Sequence, residues 1–136
     1  MNIYKEIKMN IRVYYEDTDI GGVMYYANYL KFIERARSEI FFERGLSPIS
    51  QEGAFVVRSL SAEYLKPARF GDMLEIKTTP IEIKAASLTL FQEIFRDGEK
   101  LFEAKVKLAF LRDNKPTKIP QQMALLFGAS CERSRG

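Results

Sequence analysis

YEDTDIGGVMYYANYLKFIERARSE, residues 15–39, joins an acidic loop to the longest helical pattern of this 136-residue chain. The acidic loop, residues 16–22, contains Glu16, Asp17 and Asp19 and closes with the pair Gly21-Gly22. After the glycines an amphipathic pattern begins. Positions at helical spacing are Tyr26, Leu30, Ile33, Ala36 (or Arg37) and Ile40, with mainly charged residues between them. The spacing predicts a helix that runs to about Arg44 and stops at Gly45.

The order of acids, glycines and helix suggests a chemical role. Acids just before a helix place a carboxylate beside backbone N–H groups that have no partner within the helix. Those donors and the helix dipole stabilise an oxygen that gains negative charge, which is what acyl transfer requires. Ordinary N-cap and loop chemistry uses the same residue types, so the pattern alone leaves both interpretations open.

The absent residue types exclude several kinds of enzyme. The chain has no histidine, which excludes His-based triads and His metal ligands. Its one cysteine, Cys131, excludes Cys-rich zinc sites, and no Walker A or GxGxxG pattern is present. A catalytic carboxylate or hydroxyl without a bound metal or cofactor is the expectation that remains.

Length and composition predict one domain, residues 1–136, with residues 130–136 as a flexible tail. Lone Cys131 can form no disulfide within the chain, and neither a membrane span nor a signal-peptide core is evident. We therefore expect a soluble, cytoplasmic protein. The 21 basic and 18 acidic residues are interleaved along the chain, which argues against a nucleic-acid partner.

Alternating patterns after and before the helix predict five strands, over residues 7–15, 54–66, 73–84, 87–96 and 101–112. Pro80 indicates a bulge or an edge, Asp97-Gly98 a hairpin, and Ile119–Phe127 a short terminal helix. The last four strands can pair in sequence as a meander. The expected class is α+β, an antiparallel five-stranded sheet with one long helix on one face.

A single helix covers only one face of such a sheet, while the strands carry apolar residues on both faces. We therefore expect another copy of the chain to bury the uncovered surface or an edge. The expected assembly is a homo-oligomer, at least a dimer, with a tetramer as the favoured state.

Two long segments resemble a known family. VYYEDTDIGGVMYYANYLKFIERARSE (residues 13–39) and FVVRSLSAEYLKPARFGDMLEI (residues 55–76) are similar to the 4-hydroxybenzoyl-CoA thioesterase family, in particular its YbgC-like acyl-CoA thioesterases. The resemblance extends over about residues 10–112. It implies the hotdog fold, in which an antiparallel sheet wraps around a long helix, and the hydrolysis of acyl-CoA to a free acid and CoA without a metal or cofactor.

The resemblance also implies catalytic roles. The second Asp of the D-x-D pair is Asp19, which would act as nucleophile or general base. The oxyanion donor is the backbone N–H of Tyr26, a position where the YbgC-like subgroup often has histidine. Asp17 is expected to be structural, and an Asx turn that only shapes the loop is the plain alternative for Asp19.

The expected substrate-binding residues are Gly22, Val23, Asn28, Ser59, Ser61 and Lys84. By family position Lys84 would meet the CoA phosphates, with Arg58, Lys66 and Arg69 as weaker candidates. Ser59 and Ser61 would approach the acyl site from a neighbouring subunit, and Phe55 and Val57 would line the acyl tunnel. Tyr25 and Tyr29 are interpreted as packing aromatics.

Two other functions remain open. A non-catalytic hotdog protein could bind acyl-CoA or acyl carrier protein as a scaffold. Another hotdog activity, such as a dehydratase, usually needs a histidine that this chain lacks.

Overall fold

The computed structural model describes residues 6–128, so the predictions for Cys131 and for the tail over residues 130–136 lie outside the described residues. The helices are α1 (Tyr26–Phe42) and α2 (Gln121–Ala124), with 3₁₀ turns at Tyr15–Asp17 and Leu125–Phe127. The strands are β1 (Ile7–Arg12), β2 (Ile49–Ser50), β3 (Gly53–Tyr64), β4 (Met73–Ile83), β5 (Ser87–Arg96), β6 (Glu99–Arg112) and β7 (Lys115–Pro116). The α+β class and the helix on a curled antiparallel sheet are confirmed.

The predicted strand count was incomplete, because the sheet has seven strands within the described residues. Five are long and correspond to the predicted five. The other two, β2 and β7, are two-residue strands that pair with the start of β3 and the end of β6. Two residues are too few to produce the alternation by which a strand is recognised in sequence.

The predicted four-strand meander was wrong for its first strand. The sheet order is β1-β4-β5-β6-β3-β2, so only β4, β5 and β6 form a meander. Strand β3 pairs with β6 instead of β4, for example Ser61 with Lys105. Since a strand has two edges, and β1 and β5 occupy both edges of β4, β3 pairs at the far side of the meander.

Helix α1 packs on the inner face of the sheet, although the predicted apolar stripe was partly misplaced. Tyr26 and Leu30 are exposed (72% and 37%), whereas the buried face consists of Asn28, Tyr29, Phe32, Ile33, Ala36, Arg37, Ile40 and Phe41. Each large apolar side chain on that face contributes on the order of 1.5–3 kcal/mol by burial. The last helical residue is Phe42, and Gly45 adopts the left-handed conformation (φ 72°) that follows many helix ends.

The predicted turns are confirmed. Asp97 and Gly98 both have positive φ (48° and 82°), as a two-residue hairpin turn requires. The β4–β5 register shifts between Pro80 and Glu82, which is the bulge expected at the proline. Near the C-terminal end, Phe127 packs against Phe41 of α1 with ring centroids 5.7 Å apart.

Within residues 6–128, neither helix has the length and apolar composition to cross a membrane.

Candidate active site

The acidic loop folds back as a small hairpin that leads directly into α1. Thr18 and Met24 form an antiparallel bridge, and the Asp19 N–H donates to the Val23 carbonyl at 2.9 Å. One step closer to the helix, the Tyr25 N–H donates to the Asp17 carbonyl at 3.1 Å. The hairpin therefore holds Asp17 beside the N-cap of α1 and Asp19 at its tip, opposite Val23.

The Asp19 carboxylate is fixed at the tip of this hairpin. Its Oδ1 accepts hydrogen bonds from the backbone N–H groups of Gly21 (2.8 Å) and Val23 (3.1 Å), and the side chain is half-buried. The other oxygen, Oδ2, has no hydrogen-bond partner among residues 6–128. One oxygen orients the group and the other is available to react.

Gly22 supplies the backbone conformation that the tip needs. Its φ is +81°, which side-chain-bearing residues rarely adopt, although a Cβ there would meet nothing closer than Phe70 at 4.0 Å. Gly21 is restricted by space instead, since a Cβ would lie 3.3 Å from the Asp19 Oδ1.

The start of α1 leaves a backbone donor unpaired. Tyr25 is the N-cap with φ −61° and ψ 143°, and no side chain caps this helix end. The Asn28 N–H donates to the Tyr25 carbonyl at 3.0 Å, whereas the Tyr26 N–H has no partner among the residues that the structure describes. A helix-end N–H of this kind can donate to a developing oxyanion.

Asp17 holds the loop to the helix, as predicted. Its carboxylate is 4% exposed and accepts the Tyr14 N–H and the Asn28 side-chain amide, both at 2.9 Å. Asn28, which the sequence analysis predicts to contact substrate, is itself buried and uses its amide for this bond. Any contact of Asn28 with substrate stays a prediction.

Aromatic rings pack behind the helix start. Tyr64 of β3 lies 4.8 Å from the Tyr26 ring, and its hydroxyl donates to the Tyr26 carbonyl at 3.2 Å. Tyr29 is buried against Phe102, accepts the Ala68 N–H through its hydroxyl at 2.9 Å, and has a pKa raised mainly by burial. Tyr29 is thus a packing aromatic as predicted, whereas Tyr25 is half-exposed.

Ser59 and Ser61 lie in a cavity of about 520 Å³ that does not include Asp19. Lys105 and Lys107 of β6 also line this cavity. They pair with Ser61 and Ser59, respectively, in the β3–β6 register. The sequence analysis missed these lysines, because only the strand register places them beside the serines.

The predicted CoA-binding basic residues do not line that cavity, although Lys84 lies next to it. Lys84 is exposed and its ammonium lies 3.8 Å from Glu82, which lines the cavity. Lys66 forms an ion pair with Glu99, while Arg58 and Arg69 are exposed. Exposed ion pairs of this kind contribute little to stability.

Phe55 and Val57 line a second cavity, of about 300 Å³, between β3 and α1. The position agrees with a tunnel beside the helix, although the connection to Asp19 stays a prediction. Within residues 6–128 no cluster of three or more metal-ligating acidic, His or Cys side chains is present.

Comparison with known proteins adds a separate line of evidence. The sequence pattern of the thioesterase superfamily matches residues 21–103. The chain is similar to the acyl-CoA thioesterase YbgC of Helicobacter pylori, at 43% identity over 88% of this chain and 95% of that protein. A probable thioesterase from Bartonella henselae has a similar structure (TM-score 0.79, 32% identity, 85% of this chain and all of that one). So does a Thermus thermophilus thioesterase solved with coenzyme A and Zn (TM-score 0.75, 25% identity, 90% and 97% covered).

Proposed function

The chain belongs to the thioesterase superfamily, and we propose that it is an acyl-CoA thioesterase that hydrolyses the thioester to a free acid and CoA. Two observations support this best: the Asp19 carboxylate has one oxygen without a hydrogen-bond partner, and the Tyr26 N–H at the start of α1 has none either, within the described residues. The loop hairpin connects the two groups, since Asp19 pairs with Val23 three residues before Tyr26.

In this mechanism the substrate carbonyl lies between the two groups. The Tyr26 N–H and the helix dipole stabilise the negative charge that develops on the carbonyl oxygen, an effect on the order of 3 kcal/mol per donor. Oδ2 of Asp19 either removes a proton from an attacking water or attacks the thioester carbon itself, which forms an acyl anhydride on Asp19 that water then hydrolyses. In both cases the C–S bond breaks, and the CoA thiolate takes up the proton that water loses. The reaction needs no metal and no cofactor.

The substrate then extends from this point. Gly22 and Val23 would contact the thioester region, since they form the loop tip beside Asp19. We propose that Lys84 meets the CoA phosphates, and that Ser59 and Ser61 contact substrate bound to a neighbouring subunit. Lys105 and Lys107 add positive charge beside these serines.

We propose that the assembly is a homo-oligomer joined through β3. Only Gly53 and Ala54 of β3 pair with β2, so the outer edge of residues 55–64 pairs with no strand among the described residues. Val56, Val57, Leu60 and Tyr64 are exposed along it, at 37–48%. A free edge with apolar side chains favours pairing with a second copy. Sedimentation of Val56→Lys/Leu60→Lys against wild type tests this: an unchanged oligomer contradicts a β3 interface.

The deciding experiment for the activity measures thiol release from a series of acyl-CoA thioesters, from short to long chain. Wild type should release CoA and Asp19→Asn should not, while circular dichroism shows the same fold for both. Turnover by Asp19→Asn equal to that of wild type contradicts the proposal.

A scaffold that binds acyl-CoA or acyl carrier protein without hydrolysis is the alternative. The hydrogen bonds from Gly21 and Val23 support it, because they give Asp19 a loop-shaping role that needs no chemistry. Binding of acyl-CoA without thiol release by wild type would favour this alternative.

A further inference from the structure

Arg37 lies on the buried face of α1 and is only 9% exposed. Its guanidinium donates to the side-chain oxygen of Gln92 at 2.9 Å. Gln92, fully buried in β5, donates in turn to the Ile33 carbonyl and the Thr78 hydroxyl, both at 3.0 Å. Gln92 is therefore held in place by α1 and β4, and it positions the arginine.

This buried cation has no carboxylate in contact. No Asp or Glu of residues 6–128 lies within 4.0 Å of the guanidinium. Burial lowers the Arg37 pKa, and the charge of exposed Glu34, one turn earlier, opposes that change only in part. A charge taken out of water is normally paired, because an unpaired one is strongly destabilising.

The guanidinium of Arg37 is not fully enclosed by protein atoms. A guanidinium has five N–H groups, and Gln92 accepts one of them. No fully buried side-chain nitrogen or oxygen among the described residues lacks a partner, so the other donors reach accessible space. Arg37 also lines the cavity of about 300 Å³ introduced above, which makes that cavity the candidate place for a partner of these donors.

The rest of the cavity wall is mainly apolar. Phe41 of α1, Phe55 and Val57 of β3 and Leu108 of β6 line it, with Glu34 and Ser38 as its other polar members on α1. Glu34 is exposed to solvent, which screens its charge, whereas Arg37 is buried. The cavity therefore presents an apolar wall with a buried cation, which matches a ligand that has an apolar body and one anionic group. The flat guanidinium fork suits the two oxygens of a carboxylate.

We propose that this cavity binds a carboxylate carried on an apolar chain, with Arg37 as its charge partner. The site is distinct from the proposed reaction centre, because Arg37 follows Tyr26 by eleven helical residues, roughly 16 Å at 1.5 Å per residue. Only the origin of the ligand rests on the proposed function. The carboxylate is either the free acid that hydrolysis releases or a second carboxylate at the far end of an acyl group.

The first experiment measures binding apart from turnover, by calorimetry on the full-length Asp19→Asn chain. Octanoate should bind at least tenfold more tightly than octanamide, which has the same chain and no charge. Adding Arg37→Gln should abolish the difference. Adding Arg35→Gln should leave it unchanged, since Arg35 is exposed and lies over the Phe32 ring.

A second variant covers the case in which Arg37→Gln does not fold. Val57 is 48% exposed and lines the cavity, so Val57→Phe fills the space from the surface. It should weaken octanoate binding at least tenfold. Unchanged octanoate binding by folded Val57→Phe contradicts the proposal.

A kinetic comparison distinguishes the two origins of the carboxylate. If the ligand is part of the acyl group, protein that retains Asp19 should hydrolyse an eight-carbon acyl-CoA with a terminal carboxylate in preference to octanoyl-CoA. Arg37→Gln in the same protein should remove this preference. If it is the free acid, the preference is absent and octanoate binds. The proposal is overturned if wild type shows neither octanoate binding nor this preference. It is also overturned if Arg37→Gln dissociates an oligomer and octanoate does not bind. Hydrolysis of octanoyl-CoA that depends on Asp19 would stand in all of these cases.

Discussion

The side-chain amide of Asn28 donates to the buried carboxylate of Asp17 at 2.9 Å, across eleven residues of sequence. This bond connects Asp17, in the acidic loop, to the first turn of α1. Because the Asp17 carbonyl also accepts the Tyr25 N–H, the loop and the helix start form one unit. The position of the proposed reactive groups depends on this unit.

Exchanging the two partners tests that dependence. Asp17→Asn should reduce the free energy of unfolding by about 1–3 kcal/mol. The new N–H₂ group would face either the Asn28 amide N–H₂ or the Tyr14 N–H, and a donor cannot bond to another donor. It should reduce turnover less than Asp19→Asn does. The exchange Asp17→Asn/Asn28→Asp restores a donor and an acceptor and should recover most of the lost stability in urea unfolding. A double variant no more stable than Asp17→Asn contradicts the role of this bond.

Tyr26→Pro removes the proposed oxyanion donor at small structural cost. Proline is favoured at the first helical position, and Tyr25 already has the extended conformation (ψ 143°) that precedes proline. The Tyr26 N–H has no partner among the described residues to lose. We expect kcat to fall by about 10²–10³.

Tyr26→Ala is the matched control, since it removes the same ring and keeps the N–H. It should retain far more activity than Tyr26→Pro in the thiol-release assay. Equal activity of the two variants would show that this N–H is not the donor.

The two loop glycines should affect different quantities. Gly22→Ala places a side chain at φ +81° and should reduce stability by about 1–2 kcal/mol, measured by thermal unfolding. Gly21→Ala has no positive φ, but its Cβ would press on the Asp19 Oδ1 from 3.3 Å. It should lower kcat more than stability, and the opposite pattern would contradict the orientation described for Asp19.

Because Tyr29 is buried, we expect the folded protein to lose stability at alkaline pH. Burial raises its pKa above 10.0, so above pH 10 the unfolded chain loses the Tyr29 proton while the folded chain retains it. The stabilising contribution is fully present below pH 10 and disappears as the pH rises through the folded-state pKa. Other tyrosines and lysines titrate in the same range.

Tyr29→Phe isolates this contribution. The variant loses the hydrogen bond from the Ala68 N–H at every pH, so it should be less stable at neutral pH. Its stability should then fall less steeply than that of wild type above pH 10 in urea unfolding. Parallel curves for the two proteins would contradict the effect of burial on Tyr29.

The local features of this chain could be predicted because they depend on neighbouring residues. Asp97-Gly98 specified a hairpin turn and Pro80 a bulge, since each acts through its own backbone. Asp17 was correctly expected to be structural. The exposed position of Tyr26 was not foreseen, because the apolar spacing of a helix does not show that the sheet faces Tyr29 and Phe32 instead.

The amino-acid sequence alone was enough to predict the α+β class, the five long strands, the acidic loop and the long helix after it, whose predicted end at about Arg44 lies two residues beyond Phe42. These follow from short-range spacing and turn chemistry. Only the tertiary structure decided that β3 pairs with β6, that Lys105 and Lys107 lie beside Ser59 and Ser61, and that Arg37 meets Gln92 instead of a carboxylate. These contacts join residues 38–57 positions apart in the chain. Register and packing bring them together, and no local pattern encodes either.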